Sequence, residues 1–269
     1  MSDAPLLRAS RLFKRFGGVM AVNDVSFDVL PGQILALIGP NGAGKTTTFN
    51  LISGTHSPDR GEVLFGERRI SGLRPSQIAQ HGLARTFQNL QIFGNMTVLE
   101  NVMVGCHLQG KTGFAAAALR LPRAGAEEKR IRGQAMAYLA QTGLAERAHH
   151  PAASLPFGQQ RLVEIARALA VQPKLLLLDE PAAGLNRTET EELDRLILRI
   201  RNQGISVLLV EHDMNLVMAI ADQVVVLHYG SKIAEGAPAQ VQANPEVIAA
   251  YLGDDWAAPL PTRREDANA

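Results

Sequence analysis

The sequence has a single cysteine, Cys106, among its 269 residues. One cysteine cannot form a disulfide within the chain, and this scarcity is typical of proteins from a reducing compartment. A structural zinc site is also excluded, because the seven histidines lack the helical spacing that could complete one. We therefore interpret Cys106 as a small, partly buried apolar residue.

Long apolar runs are missing as well. Uninterrupted apolar stretches such as 175–178 and 207–210 are far shorter than the roughly 20 residues that a membrane-spanning helix needs. The N-terminal segment also lacks the apolar core of a signal peptide. We expect a cytosolic or peripheral membrane protein that is soluble when isolated.

An excess of charge of either sign is absent too. The 27 basic and 26 acidic residues leave a formal net charge of +1, so the basic excess of a protein devoted to nucleic acid is not present. We predict no nucleic-acid partner. The 46% of hydrophobic residues is enough for an ordinary core, and the length favours one domain with a subdomain.

The most informative motif that is present is a phosphate-binding loop. The segment 39–47, GPNGAGKTT, follows the apolar run 34–38 and fits the pattern G-x-x-x-x-G-K-[ST]. Glycines let the loop turn so that backbone N–H groups point at phosphates, and the helix that follows directs its positive end there. Lys45 adds a mobile charge, and the Thr46 hydroxyl can bind Mg²⁺. The predicted nucleotide contacts are Gly39, Pro40, Asn41, Gly42, Ala43, Gly44, Lys45, Thr46 and Thr47.

Two patterns of hydrophobicity surround this loop. Apolar residues alternate between residues 6 and 65, which predicts a mainly antiparallel layer. The continuous runs 175–178, 205–210 and 224–227 predict buried parallel strands, and the segment 97–169 is rich in helix formers. Capping boxes are predicted at Thr97–Glu100 and at Thr188–Glu191, the second at the start of a helix that runs toward Gln203. The fold class is therefore α/β, a P-loop NTPase (RecA-like) core with an antiparallel β subdomain and an inserted α-helical subdomain.

Acidic residues and a histidine follow the predicted strands. Asp179 and Glu180 end the run 175–178, where a strand end is rigid enough to hold both carboxylates beside the phosphates. Asp179 suits the magnesium shell and Glu180 suits polarising the attacking water. His212 comes just after the run ending at Val210, where its ring could reach a γ-phosphate. We predict Glu180, His212 and Lys45 as catalytic residues.

The segment LPFGQ at 155–159 precedes these carboxylates and opens a predicted helix that runs through Leu169. Here the sequence resembles the ATP-binding cassette (ABC) family, whose signature motif LSGGQ occupies this place. The resemblance extends from Leu6 to Gly253. It implies that Leu155, Pro156, Phe157, Gly158 and Gln159 complete the ATP site of a partner cassette.

The same resemblance implies further roles. Phe16 would stack on adenine, Gln88 would be the glutamine of the Q-loop, and Ala183-Gly-Leu-Asn186 would be the D-loop. The implied Mg²⁺ ligands are Thr46, Gln88 and Asp179, and the cofactors are ATP and Mg²⁺. From the residues alone, Phe16 could instead be a core aromatic, Gln88 a surface residue and His212 a solvated side chain.

The sequence departs from the family pattern at two places. Pro156 and Phe157 replace the usual Ser and Gly, so a hydroxyl that would contact the γ-phosphate is missing. We expect the ATP site that borrows this signature to be chemically weaker than the ATP site built on Lys45. Separate substitutions of Lys45 and of the matching lysine in the partner would test this asymmetry. Asn186 replaces the usual D-loop aspartate and leaves a contact across the dimer in question.

Details of the motifs, including RTFQ at 85–88, the signature region and EHDM at 211–214, look like the larger ATP-binding subunit of bacterial branched-chain amino acid importers. This resemblance implies a second ATPase subunit, or a second copy, with two integral membrane permeases and, indirectly, a periplasmic solute-binding protein. It implies a peripheral location on the cytoplasmic face of the inner membrane. The alternatives are urea or other amide and amino acid uptake, lipopolysaccharide extraction, and a soluble iron–sulfur assembly ATPase.

The predicted organisation has three parts. Residues 1–96 and 170–253 form the ATPase core, 97–169 form the helical subdomain with the signature, and 254–269 form a flexible tail. The portion 111–133 is predicted as a helix-turn-helix or a mobile loop. The apolar residues of 89–100 either dock the permeases or pack under the helical subdomain.

Overall fold

The structure is a computed structural model that describes residues 4–86, 88, 90–107 and 122–251. The predicted tail, 254–269, lies outside these residues, as do residues 111–121 of the predicted helix-turn-helix or loop at 111–133, whereas residues 122–133 belong to a helix. The strands are β1 Leu7–Phe16, β2 Val19–Val29, β3 Ile34–Ile38, β4 Arg60–Phe65, β5 Arg68–Arg69, β6 Leu83–Arg85, β7 Leu175–Asp179, β8 Ser206–Val210, β9 Gln223–His228 and β10 Ser231–Gly236.

The α-helices of the described residues lie mostly between these strands. They are α1 Lys45–Ile52, α2 Pro75–Gln80, α3 Val98–His107, α4 Pro122–Gln141, α5 Phe157–Leu169, α6 Arg187–Asn202, α7 Met214–Ile220, α8 Pro238–Gln242 and α9 Pro245–Tyr251. None of these helices is both long enough and apolar enough to cross a membrane.

The first sheet is four-stranded, in the order β2-β1-β4-β5, and its recorded pairs are antiparallel. The long hairpin of β1 and β2 pairs Leu7 with Val29 at one end and Phe16 with Val19 at the other. Alternate residues of these strands are buried, such as Leu7 and Ala9 in β1 and Val25, Phe27 and Val29 in β2. The alternation in the sequence therefore predicted this layer correctly, because one face of the sheet packs on the core.

The second sheet is six-stranded, in the order β10-β9-β3-β8-β7-β6. Strand β3 is parallel to β8 and β9, and β7 is parallel to β8, which confirms the predicted buried parallel strands. In the register, Leu37 pairs with Val210 and Val210 pairs with Asp179. The carboxyl ends of β3, β7 and β8 therefore lie level at one edge of the sheet, where α/β proteins bind ligands.

The chain divides into two compact units. One unit comprises the described residues up to Leu83 and from Lys174 onward, and the other comprises those from Ala84 to Pro173. The first unit contains a core shared by both sheets, with Leu12, Leu35 and Val210 among its buried residues. The second unit is built around α3, α4 and α5, whose buried side chains form their own core. The predicted helical subdomain, 97–169, falls within the second unit.

The N-termini of α3 and α6 can be compared with the capping boxes predicted from the sequence. Thr97 and Glu100 form the predicted capping box at α3, with the Glu100 N–H donating to Thr97 Oγ1 at 3.2 Å and the Thr97 N–H donating to Glu100 Oε2 at 2.8 Å. The box expected at Thr188–Glu191 was wrong. Asn186 caps α6 instead, and Glu189 completes that box, because asparagine is a better N-cap than threonine.

Candidate nucleotide-binding site

The phosphate loop connects β3 to α1 at the carboxyl edge of the parallel sheet. Because an α-helix has no internal acceptors for its first N–H groups, the start of α1 offers donors to an anion. No acidic residue lies in the first turn of α1 to oppose this. Gly44 has φ 99°, and a Cβ there would lie 2.4 Å from the Ala21 carbonyl oxygen, so only glycine fits.

Lys45 is buried beneath this loop. Its Nζ donates to the carbonyl oxygens of Gly39 at 2.6 Å and Pro40 at 3.1 Å. Burial lowers the pKa of Lys45, and the negative charges of Glu180 and Asp179 oppose that lowering. The ammonium group thus lies between the loop and the two carboxylates, where it can neutralise the charge of a bound phosphate.

Asp179 and Glu180 lie at the end of β7. Asp179 is buried, and the Glu180 N–H donates to the Val210 carbonyl oxygen at 2.9 Å. The Glu180 backbone has φ 46°, a left-handed conformation that is unfavourable for a residue with a side chain. Such conformations cluster at functional sites, where the surrounding structure holds them in place.

His212 lies beside Glu180. Its Nδ1 is 3.9 Å from Glu180 Oε2 and 3.9 Å from Glu211 Oε2, and its side chain is 62% exposed. The structure therefore brings two of the three predicted catalytic side chains together, and the charge of Glu180 also acts on the third, Lys45. An exposed imidazole next to a carboxylate can hydrogen-bond an incoming phosphate oxygen.

The residues predicted to hold Mg²⁺ in this unit fit that ion. The Thr46 hydroxyl and the Asp179 carboxylate are oxygen donors, which Mg²⁺ prefers. Among the described residues, no three His, Cys, Asp or Glu side chains gather as a metal cluster.

Phe16 ends β1 at the tip of the hairpin and is 44% exposed. The His56 ring meets it edge-on with centroids 5.3 Å apart, and Lys14 Nζ lies 5.5 Å from its centroid. Its hairpin neighbours Val19 and Met20 are exposed as well. Phe16 is therefore not a core residue, and an exposed aromatic with apolar neighbours can stack on a nucleotide base.

The signature segment and Gln88 lie in the second unit. Pro156 is the N-cap of α5, Leu155 is buried and Phe157 is exposed. Gln88 is exposed, and its carbonyl oxygen accepts a hydrogen bond from Arg161 Nη2 at 3.1 Å. The predicted role of Gln88 toward ATP and Mg²⁺ remains a prediction.

Four buried charged residues have no role predicted from the sequence: Arg161, Glu164, Asp194 and Glu211. In the second unit, Arg161 Nη1 donates to Glu164 Oε2 at 2.9 Å, and their side chains are 1% and 2% exposed. In the first unit, Glu211 is 0% exposed. Charged residues are rarely buried, so the only available signal was position: Glu211 directly follows a continuous apolar strand.

Comparisons with known proteins identify the family of the chain. The family described as ABC transporter matches residues 22–183, and the family described as branched-chain amino acid ATP-binding cassette transporter matches residues 231–257. The chain is 46% identical over 251 residues to the high-affinity branched-chain amino acid transport ATP-binding protein LivG of Escherichia coli (strain K12), covering 93% of this chain and 98% of that protein.

Other proteins match over a similar length. The chain is 36% identical over 251 residues to the lipopolysaccharide export system ATP-binding protein LptB of Acidithiobacillus ferridurans, covering 93% of this chain and 98% of that protein. A solved structure of the ADP conformation of an ATP-binding cassette of an ABC transporter has a TM-score of 0.81 and 32% identity, covering 93% of this chain and 99% of that one. The chain therefore belongs to the ABC transporter family, as one of its nucleotide-binding ATPase cassettes.

Proposed function

We propose that this chain is the ATP-hydrolysing subunit of an importer of branched-chain amino acids. The observation that carries the proposal is the meeting of Glu180 and His212 beside Lys45 at the carboxyl edge of the parallel sheet. The 46% identity to the LivG protein over 93% of the chain supports the choice of leucine, isoleucine and valine as cargo.

In the proposed reaction, the Glu180 carboxylate accepts a proton from the water that attacks the γ-phosphorus of ATP. The bond from the γ-phosphorus to the bridging oxygen breaks, and the products are ADP and phosphate. Lys45 and the N–H groups at the start of α1 stabilise the negative charge on the phosphates. His212 donates a hydrogen bond to the γ-phosphate. Mg²⁺, held by Thr46 and Asp179, would neutralise phosphate charge.

The proposal includes partners that this chain lacks. A second ATPase subunit, or a second copy, would supply a signature to the Lys45 site, and 155–159 of this chain would serve the other site. Two integral permeases would hold the subunit at the cytoplasmic face of the inner membrane and receive substrate from a periplasmic solute-binding protein. Phe93 and Met96 are exposed in the second unit, which supports a permease contact there.

Uptake of labelled leucine tests this function. In cells that lack the native gene, the wild-type chain should restore uptake and Lys45→Gln should not, because removal of one phosphate-binding charge costs about 100-fold or more in hydrolysis. Asp213→Asn is the control and should restore uptake. Asp213 is the N-cap of α7, and asparagine caps helices as well as aspartate does. Restoration by Lys45→Gln, or uptake that does not depend on the chain, would contradict the proposal.

A second candidate function rests on the 36% identity to the lipopolysaccharide export protein over the same length of chain. The two functions differ in the compound moved, whereas both use the same ATP site. If the gene supports lipopolysaccharide export and leaves leucine uptake unchanged, the cargo assignment is wrong and the ATPase assignment stands.

A further inference from the structure

Glu211 is a buried carboxylate that the reaction described above does not use. It directly follows β8 and has 0% exposure. Its Oε1 accepts a hydrogen bond from the Ala182 N–H at 2.8 Å, and its Oε2 accepts from the N–H groups of His212 at 3.1 Å and Asp213 at 3.4 Å. One side chain therefore bonds to the backbone of two separate segments.

Each of these segments carries a reacting group. Ala182 lies two residues after Glu180, and the His212 N–H belongs to the residue whose ring lies near Glu180. Glu180 is fixed on its other side by the hydrogen bond from its N–H to the Val210 carbonyl oxygen. The backbone around Glu180 is therefore held both before and after the residue, although its φ of 46° is unfavourable.

A buried carboxylate is a costly way to join two loops. Removal of a charge from water is strongly unfavourable unless hydrogen bonds compensate. Burial raises the pKa of Glu211, and the N–H groups of Ala182, His212 and Asp213 oppose that rise. A hydrogen-bonded carboxylate is also more rigid than an apolar contact, which is what a reacting geometry requires.

We infer that Glu211 is a positioning residue for ATP hydrolysis, which holds the Glu180 segment and the His212 backbone together. Through them it sets the separation of 3.9 Å between His212 Nδ1 and Glu180 Oε2. This inference rests on the proposed function, because it assumes that Glu180 and His212 act on ATP. Glu211 itself touches the backbone and does not need to contact the substrate.

Glu211→Gln tests the inference, because it keeps the shape and removes the charge and one acceptor. Hydrolysis by the assembled transporter should show a kcat lowered about 10- to 100-fold, since a misplacement near 1 Å has an effect of this size. The KM for ATP should change less than about twofold, because Lys45 and α1 still bind the phosphates. Glu246→Gln, which makes the same change at an exposed residue of α9, is the control and should retain the wild-type kcat.

A double-mutant cycle separates positioning from general stability. In a His212→Ala background, Glu211→Gln should cost far less than in the wild type, because one of the two groups that it aligns is already gone. Equal fold losses in the two backgrounds, or an unchanged kcat in Glu211→Gln, would overturn the inference. If the wild-type complex hydrolyses ATP and does not transport leucine, only the cargo assignment fails.

Hydrogen exchange on the isolated chain gives a readout that needs no activity. Glu211→Gln should speed amide exchange in residues 180–185 and 208–216, where the accepted N–H groups lie, and leave α4 unchanged. Unchanged exchange in both segments would overturn the inference, even if the transporter proved inactive for other reasons.

Discussion

The two units of the molecule bury a glutamate by different means. In the first unit, the Glu211 carboxylate accepts hydrogen bonds from three backbone N–H groups, which lie close in sequence to Glu180 and His212. In the second unit, Glu164 is paired with Arg161, and its charge also acts on Arg167. A carboxylate held by backbone N–H groups fixes the path of the chain, whereas an ion pair depends on the positions of two side chains.

The ion pair also holds a loop in the second unit. Arg161 Nη2 donates to the Gln88 carbonyl oxygen, and Arg167 Nη2 donates to the Gln91 carbonyl oxygen. The Arg161 guanidinium lies 5.7 Å from the centroid of the Phe157 ring. Arg161 thus contacts both the segment that carries Gln88 and Phe157 of the signature segment.

Loss of one member of the ion pair should give the largest effect on stability. Glu164→Leu leaves the Arg161 charge buried without its carboxylate, and the free energy of unfolding should fall by about 3–5 kcal/mol. Denaturant unfolding of the isolated chain measures this change. Arg130→Leu, on the exposed side of α4, is the control and should change stability by less than about 0.5 kcal/mol. A Glu164→Leu chain as stable as the wild type would show that the pair is not buried in solution.

Removal of both Arg161 and Glu164 should lower the free energy of unfolding less than removal of Glu164 alone. Arg161→Met together with Glu164→Leu removes both charges, and the free energy of unfolding should recover to within about 1–2 kcal/mol of the wild type. Amide exchange in residues 84–92 should remain faster than in the wild type, because the donor to the Gln88 carbonyl oxygen is gone. If the double variant were no more stable than Glu164→Leu alone, the unpaired Arg161 charge would not be the cause of the lost stability.

The sequence predicts the parts of this molecule that follow from local rules. The phosphate loop, the alternation in β1 and β2, and the continuous apolar strands each follow from a period or from a residue type with a known conformation. The start of α6 was misplaced because Thr188 with Glu191 fits the capping-box pattern, although Asn186 is the better N-cap.

The buried charges could not be predicted in the same way. Arg161 and Glu164 are spaced like a solvent-exposed helical pair, and their burial depends on the packing of α3, α4 and the Gln88 segment around α5. The role of Glu211 depends on Ala182, which is 29 positions away in the sequence and adjacent only after β7 and β8 pair. Contacts that tertiary structure creates leave little trace in one sequence.

Glu180→Gln in the purified transporter is the sharpest test of the role proposed for Glu180 in ATP hydrolysis. MgATP should bind with nearly unchanged affinity, because Lys45 and the loop are intact, while the hydrolysis rate should fall about 100-fold or more. Hydrolysis at the wild-type rate with normal MgATP binding would show that Glu180 does not have this role.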